Sequence, residues 1–203
     1  MTAAALPSHP HPIDEHGFTV EDLYAIPDDG MRCELIEGSI IMSPSATGGH
    51  NLIACWIVIA LEDAKPTDDY FATTDVSARI DNHNEPRPDL AVYRADYFEE
   101  SPFPIRQALL VGEVISPNSA LRDTETKRAL YARAGVPSYW IIVPSDDKPT
   151  IALAELVLDP ATGKYDYVTH YTTDVFRTER PWPVEIDLPA LTARRARWFR
   201  PKR

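Results

Sequence analysis

The order of apolar and polar positions assigns most elements of this 203-residue chain. Thr19 precedes Val20-Glu21-Asp22-Leu23-Tyr24, a capping residue followed by first-turn acids, which predicts a short helix ending before Pro27. Residues 33–42 read as two short strands around Glu37-Gly38, an N-terminal hairpin stopped by Ser43-Pro44. Residues 50–64 follow Gly48-Gly49 and are apolar on several faces, as in a helix packed on a sheet. Val76, Ala78 and Ile80 alternate with Ser77 and Arg79, predicting a half-buried strand, and Asp89-Leu90-Ala91-Val92-Tyr93 predicts the next.

Residues 109–115 form a third apolar run, interrupted by Glu113 and broken by Ser116-Pro117-Asn118-Ser119. Ser119 is placed to cap a helix over residues 120–134, closed by Gly135 and Pro137. Tyr139-Trp140-Ile141-Ile142-Val143 has the composition of a strand buried on both faces, so a strand–helix–strand unit is expected. Residues 150–158 and 165–171 flank Asp159-Pro160-Ala161-Thr162-Gly163 as a C-terminal hairpin. The fold class is α/β, a central mixed sheet flanked by helices. Residues 1–17, rich in Pro and His, read as a flexible leader, residues 18–190 as one domain, and residues 191–203 as a basic tail.

Bulk properties narrow the function. A composition of 44% hydrophobic and 25% charged residues suits one soluble domain, and the longest apolar run, residues 52–61, is about half a membrane span. Two cysteines, Cys33 and Cys55, form neither a disulfide framework nor a metal-ligand pattern, and no secretion signal marks residues 1–16, so a cytoplasmic protein is expected. A net charge of −11 argues against broad, sequence-independent binding of nucleic acid. It leaves room for a local patch drawn from Arg79, Arg87, Arg106, Arg122, Lys127, Arg128 and Arg133.

The chemistry begins with Glu113. An unpaired carboxylate costs several kcal/mol to bury, so Glu113 in a core strand calls for a cation. Strand periodicity puts Val111, Glu113 and Ile115 on one face and Leu110, Gly112 and Val114 on the other. If the Asp89 strand is its neighbour, the two carboxylates converge as hard oxygen ligands of the kind Mg²⁺ prefers. Asp123, Lys127 and Tyr131 share a helical stripe, from which Lys127 can reach back over the strand end. The competing uses are structural: an exposed Asp123–Lys127 pair, Glu113 paired with Arg87 or Arg79, and Asp89 bonded to nearby backbone amides.

The ordered set Glu34-Leu35-Ile36-Glu37-Gly38, Ser43-Pro44, His50, Arg87-Pro88-Asp89, Glu113-Val114-Ile115-Ser116-Pro117, Lys127, Tyr131 and Gly135-Val136-Pro137-Ser138-Tyr139-Trp140 resembles the Uma2 family, also called DUF820. These are restriction endonuclease-like proteins of the PD-(D/E)XK nuclease superfamily. The resemblance covers roughly residues 18–190 and implies a restriction endonuclease-like core. It implies Asp89 and Glu113 as catalytic acids and metal ligands, with the backbone carbonyl of Val114 as a further ligand. The usual pattern has its lysine at position 115, where this chain has Ile115. The resemblance therefore implies Lys127 as the displaced catalytic lysine and Glu34 as an additional acid. The expected activity is a Mg²⁺-dependent endonuclease acting on DNA, with Mn²⁺ as a substitute, and cutting both strands would suit a homodimer. Two alternatives stand: a catalytically silent nuclease-fold binding module, and a hydrolase of small phosphodiesters.

Overall fold

The computed structural model describes residues 16–27, 31–117 and 119–201. Most of the expected leader, residues 1–15, lies outside the described residues. Helix α1 (Val20–Tyr24) starts at Thr19 in a capping box: the Thr19 hydroxyl accepts from the Asp22 amide, and the Asp22 carboxylate accepts from the Thr19 amide. Strands β1 (Arg32–Ile36) and β2 (Ser39–Ser43) pair as the expected hairpin. Its turn residues Glu37 and Gly38 both have positive φ, 48° and 69°, the two-residue geometry that matches strand twist. Helix α2 (Gly48–Ala64) begins two residues earlier than the apolar pattern indicates, because the Thr47 hydroxyl accepts from the His50 amide and sets the cap.

Strand β3 (Tyr70–Thr74) follows, then β4 (Ala78–Arg79), β5 (Leu90–Arg94), β6 (Phe103–Pro104) and β7 (Ala108–Val114). The alternation over residues 76–80 yields only the two-residue β4, paired in parallel with β6. The sheet edge is formed by β3, which pairs with β5. After β7, a π-helical stretch, Arg122–Lys127, runs directly into α3 (Arg128–Arg133). Gly135 has φ +80° and the Val136 amide bonds the Tyr131 carbonyl at 3.1 Å, the expected glycine stop.

Strands β8 (Ser138–Pro144), β9 (Ile151–Asp159) and β10 (Lys164–Thr172) complete a six-stranded sheet of order β10-β9-β8-β7-β5-β3. Within this sheet only β7 and β8 run parallel, joined by the expected helical crossover, and β9 and β10 are the C-terminal hairpin. Strands β11 (Val175–Thr178) and β12 (Val184–Asp187) pair separately and lead into α4 (Leu188–Ala196).

Helices cover both faces. Ile53, Ile57 and Leu61 of α2 and Leu188 and Leu191 of α4 pack with Leu90, Leu110, Val114, Trp140 and Leu153. Tyr131 and Ala132 of α3 pack with Ala91, Val111, Tyr139, Ile141 and Leu156 on the opposite face. Residues 191–196, expected within a basic tail, are instead the later turns of α4. Leu191 is buried and the Arg195 guanidinium donates to the carbonyls of Ser145, Lys148 and Thr150, which docks the helix. No helix among the described residues is long and apolar enough to cross a membrane.

Candidate active site

Strand β5 lies beside β7, with Leu90 opposite Gly112, and this register brings Asp89 against the end of the β7 strand. The β5–β7 ladder stops at that pair, leaving the Val114 amide to donate to Asp89 Oδ2 at 2.9 Å. His50, in the first turn of α2, reaches the same point. Its Nε2 lies 2.8 Å from the Val114 carbonyl oxygen and 3.1 Å from Asp89 Oδ2. Burial would raise the Asp89 carboxyl, but the hydrogen bond and charge of His50, the charge of Lys127 and the Val114 amide together hold it below the ordinary range. Burial disfavours a charged His50, and Asp89 with the Val114 carbonyl outweighs it, so the imidazole is pushed up.

Glu113 points to the other face of β7, toward the π-helical stretch and α3, in keeping with the strand alternation. It is 2% exposed, and its Oε1 accepts from Lys127 Nζ at 3.0 Å and from the Tyr131 hydroxyl at 2.8 Å. Arg79 and Arg87, its alternative partners from the sequence, are engaged by Glu85 and Asp75. Lys127 is also 2% exposed, with its Nζ 2.6 Å from Glu34 Oε1 and 4.0 Å from Asp123 Oδ1. Glu34 is fixed in turn by the Arg87 amide at 2.7 Å. The Asp123–Lys127 pair is therefore buried rather than solvent-exposed, and both side chains serve the interior.

Charge is out of balance here. Glu34, Asp89, Glu113 and Asp123 gather about one interior ammonium, with Arg32 and Arg122 at the rim. Burial drives the Glu113 carboxyl well up, Lys127 opposes this, and Asp89, Asp123 and Glu34 add to it. Burial would strip the proton from Lys127, but Glu113, Glu34 and Asp123 overcome it and raise the ammonium. Lys127 thus stays charged, while Glu113 gains affinity for a proton or another cation.

The π register is what turns these groups inward. The Tyr139 hydroxyl, from β8, donates to the Asp123 carbonyl at 2.7 Å and ties the wide turn to the sheet. Such turns recur at functional sites because they redirect side chains that a regular helix would space evenly. Asp123 Oδ1 and Arg122 Nε are buried without a hydrogen bond, 3.7 Å apart. In the sequence Asp123 stood out only as a helical pair with Lys127, and His50 only as a member of the family-like set, with no role assigned to it. The four-residue spacing of Asp123, Lys127 and Tyr131 was the available signal for the first.

Asp89, Glu113, Glu34, Lys127 and His50 all line one cleft of about 500 Å³. The Asp89 and Glu113 carboxylates that line it, with the Val114 carbonyl behind His50, match the hard ligands of Mg²⁺ or Mn²⁺, which commonly use one or two carboxylates plus water. They fit such an ion chemically. Among the described residues, no three His, Cys, Asp or Glu side chains converge as a ready-made cage. The Val114 carbonyl is bonded to His50 and the bonded oxygen of Glu113 to Lys127 and Tyr131.

A solved structure from Anabaena variabilis, described as "a putative nuclease belonging to DUF820", matches with a TM-score of 0.64 at 16% identity, covering 87% of this chain and 98% of that one. At that identity the likeness establishes the fold, a mixed sheet flanked by helices. No curated protein matches the chain. The family model for Uma2, described as "Putative restriction endonuclease", matches residues 20–187, and the chain belongs to the Uma2 family.

Proposed function

We propose that the protein is a Mg²⁺-dependent endonuclease that hydrolyses phosphodiester bonds in DNA. The observation that carries this reading is the meeting of Asp89, Glu113 and Lys127 in one cleft, with the Val114 carbonyl held beside Asp89 by His50, assembled from two neighbouring strands and the helix between parallel strands. Asp89, Glu113 and the Val114 carbonyl would hold the ion. When bound, a divalent cation supplies a Lewis acid to the phosphate and acidifies the attacking water.

The chain's own groups supply the rest. The Val114 amide and His50 fix the Asp89 carboxylate, leaving its rotamer little freedom. Tyr131 and Lys127 orient Glu113 from above. Lys127, kept protonated by three carboxylates, places an N–H donor where charge develops on phosphate oxygens, and Glu34 holds the ammonium against the sheet. A homodimer, with two such clefts, would suit cutting both strands of a duplex.

Incubation of the purified chain with supercoiled plasmid, single-stranded DNA or RNA, with Mg²⁺ or Mn²⁺, tests this. Nicking should appear on DNA and vanish in Asp89→Asn. Equal behaviour of wild type and Asp89→Asn on every polynucleotide refutes it. The second reading, a binding module without turnover, is favoured by the engagement of the Val114 carbonyl by His50 and of Glu113 by Lys127. Calorimetry separates the two, since the module predicts no divalent-ion uptake that Glu113→Gln abolishes. Turnover of bis(p-nitrophenyl) phosphate with polynucleotides left intact would mark a small-phosphodiester hydrolase.

A further inference from the structure

At the mouth of the cleft, two arginines from separate elements close on a single carboxylate oxygen. Arg32 belongs to β1 and Arg87 to the segment leading into Asp89. The Arg32 Nη2 and the Arg87 Nε both meet Asp75 Oδ1, the latter at 2.7 Å. Arg87 Nε also lies 3.4 Å from the Asp75 carbonyl oxygen. Arg32 Nη2 stands 4.0 Å from Asp89 Oδ1, so the pair borders the acid that heads the site.

Both arginines line the cleft. Asp75 lies between β3 and β4 with a side chain 43% exposed and a φ of +57°, the left-handed region that favours glycine. Its amide donates to the Asp89 carbonyl at 3.2 Å, which ties that backbone to the site. Two planar guanidinium groups converging on one oxygen is the arrangement that grips phosphate, and a carboxylate is its nearest side-chain mimic. In a chain of net charge −11, Arg32, Arg87 and Arg122 all line this one cleft, beside the acids Glu34, Asp89, Glu113 and Asp123.

We propose that Arg32 and Arg87 form a fork for a backbone phosphate of the nucleic acid, and that Asp75 occupies the fork until that phosphate displaces it. The inference rests on the nucleic-acid reading above and names where the strand is held. The fork sits beside Asp89, so the bound phosphate is the scissile one or its immediate neighbour. Asp75 acts as a built-in competitor, which keeps the cleft from collecting anions at random and makes affinity depend on a strand that also fits the rest of the groove.

Fluorescence anisotropy of a labelled DNA duplex in EDTA tests the fork without metal or cleavage. Asp75→Asn should bind roughly five- to tenfold tighter than wild type, and Arg87→Ala more weakly than wild type. Asp75→Gly, which suits the left-handed backbone, should reproduce the gain. In an Arg87→Ala background the gain from Asp75→Asn should shrink to within roughly twofold, because the carboxylate then has less of a fork to block. Unchanged or weaker binding by both Asp75 variants overturns the proposal. So does an equal gain with and without Arg87, which would mark long-range charge alone, and so does absence of binding in every form. Fork-dependent binding without any metal-dependent cleavage sinks the enzyme reading and leaves the fork standing. Cleavage that needs Asp89 while binding ignores Asp75 does the reverse.

Discussion

Replacing Lys127 by Met removes the buried ammonium that Glu34 and Glu113 share, and the cost should depend steeply on pH. Nζ lies 2.6 Å from Glu34 and 3.0 Å from Glu113. At an effective dielectric of about 20 each contact is worth about 6 kcal/mol of Coulomb attraction. Desolvation of the ammonium and the carboxylates returns several kcal/mol per ion, so breaking the set should cost about 3–5 kcal/mol at neutral pH. Protonation relieves that cost. The Glu113 carboxyl is already raised with Lys127 present, and losing the ammonium raises it further. For an acid whose folded value lies above its unfolded value of about 4.3, the stabilisation is fully present below the unfolded value and is lost as pH climbs through the folded one. The variant should therefore approach wild type at pH 5, with a gap of about 1–2 kcal/mol, and fall several kcal/mol behind at pH 8. Urea denaturation at both pH values, with m held common, measures the two gaps. A gap equal at pH 5 and pH 8 would show that Lys127 contributes packing rather than charge, and would refute the electrostatic account of the site.

Two further substitutions test the fold around the site. A Cβ at Gly112 would stand 2.9 Å from Leu90 Cδ1 and 3.0 Å from its Cγ, both in the buried sheet, so Gly112→Ala should cost about 1–3 kcal/mol in urea melts. A neutral result would mean that β5 and β7 can move apart without strain. Glu155 is 1% exposed and accepts from the Thr178 hydroxyl at 2.7 Å, and burial raises its carboxyl despite Thr178, Arg180 and Trp140. Its raised value makes the wild type lose stability as pH rises from about 4.3. Glu155→Gln should thus gain about 1 kcal/mol at pH 8 and nothing at pH 4, and a gain at both pH values would contradict the burial argument.

The elements that frame the site were legible because each carries its own local signal. Thr19 and Gly135 bound their helices, Glu37-Gly38 turns its hairpin, and strict alternation through Val111, Glu113 and Ile115 assigns faces. The sheet edge was not legible, because Tyr70-Phe71-Ala72-Thr73-Thr74 has no alternation and borrows its extended form from the ladder with β5. Residues 76–80 alternate, yet their burial comes from loop packing, with only Ala78 and Arg79 paired. Helix α4 left a signal that the run of arginines concealed. Asp187 accepts from the Ala190 amide as its cap and Pro189 stands in its first turn, the usual marks of a helix start. The π register left none. It depends on a hydroxyl from β8, sixteen residues away, and side-chain pattern does not encode such a tertiary bond.

Ile115 stands where the two layers meet. The Ile115 amide continues the β7–β8 ladder to the Ile142 carbonyl at 2.8 Å, and its side chain packs with the apolar cluster beneath α3. A cation at 115 would have to displace that contact. The ammonium reaches Glu113 from the helical layer instead, through Lys127 on the π stretch, while Tyr131 on α3 reaches the same oxygen. The consequence is mechanical. Asp89 and the Val114 carbonyl belong to the sheet and its edges, whereas Lys127, Asp123 and Tyr131 belong to the helical layer, so the site exists only while that layer is docked. Tyr139 holds the helical carbonyl of Asp123 down, which makes one buried hydroxyl a fastening between the sheet that carries the acids and the turn that carries their cation.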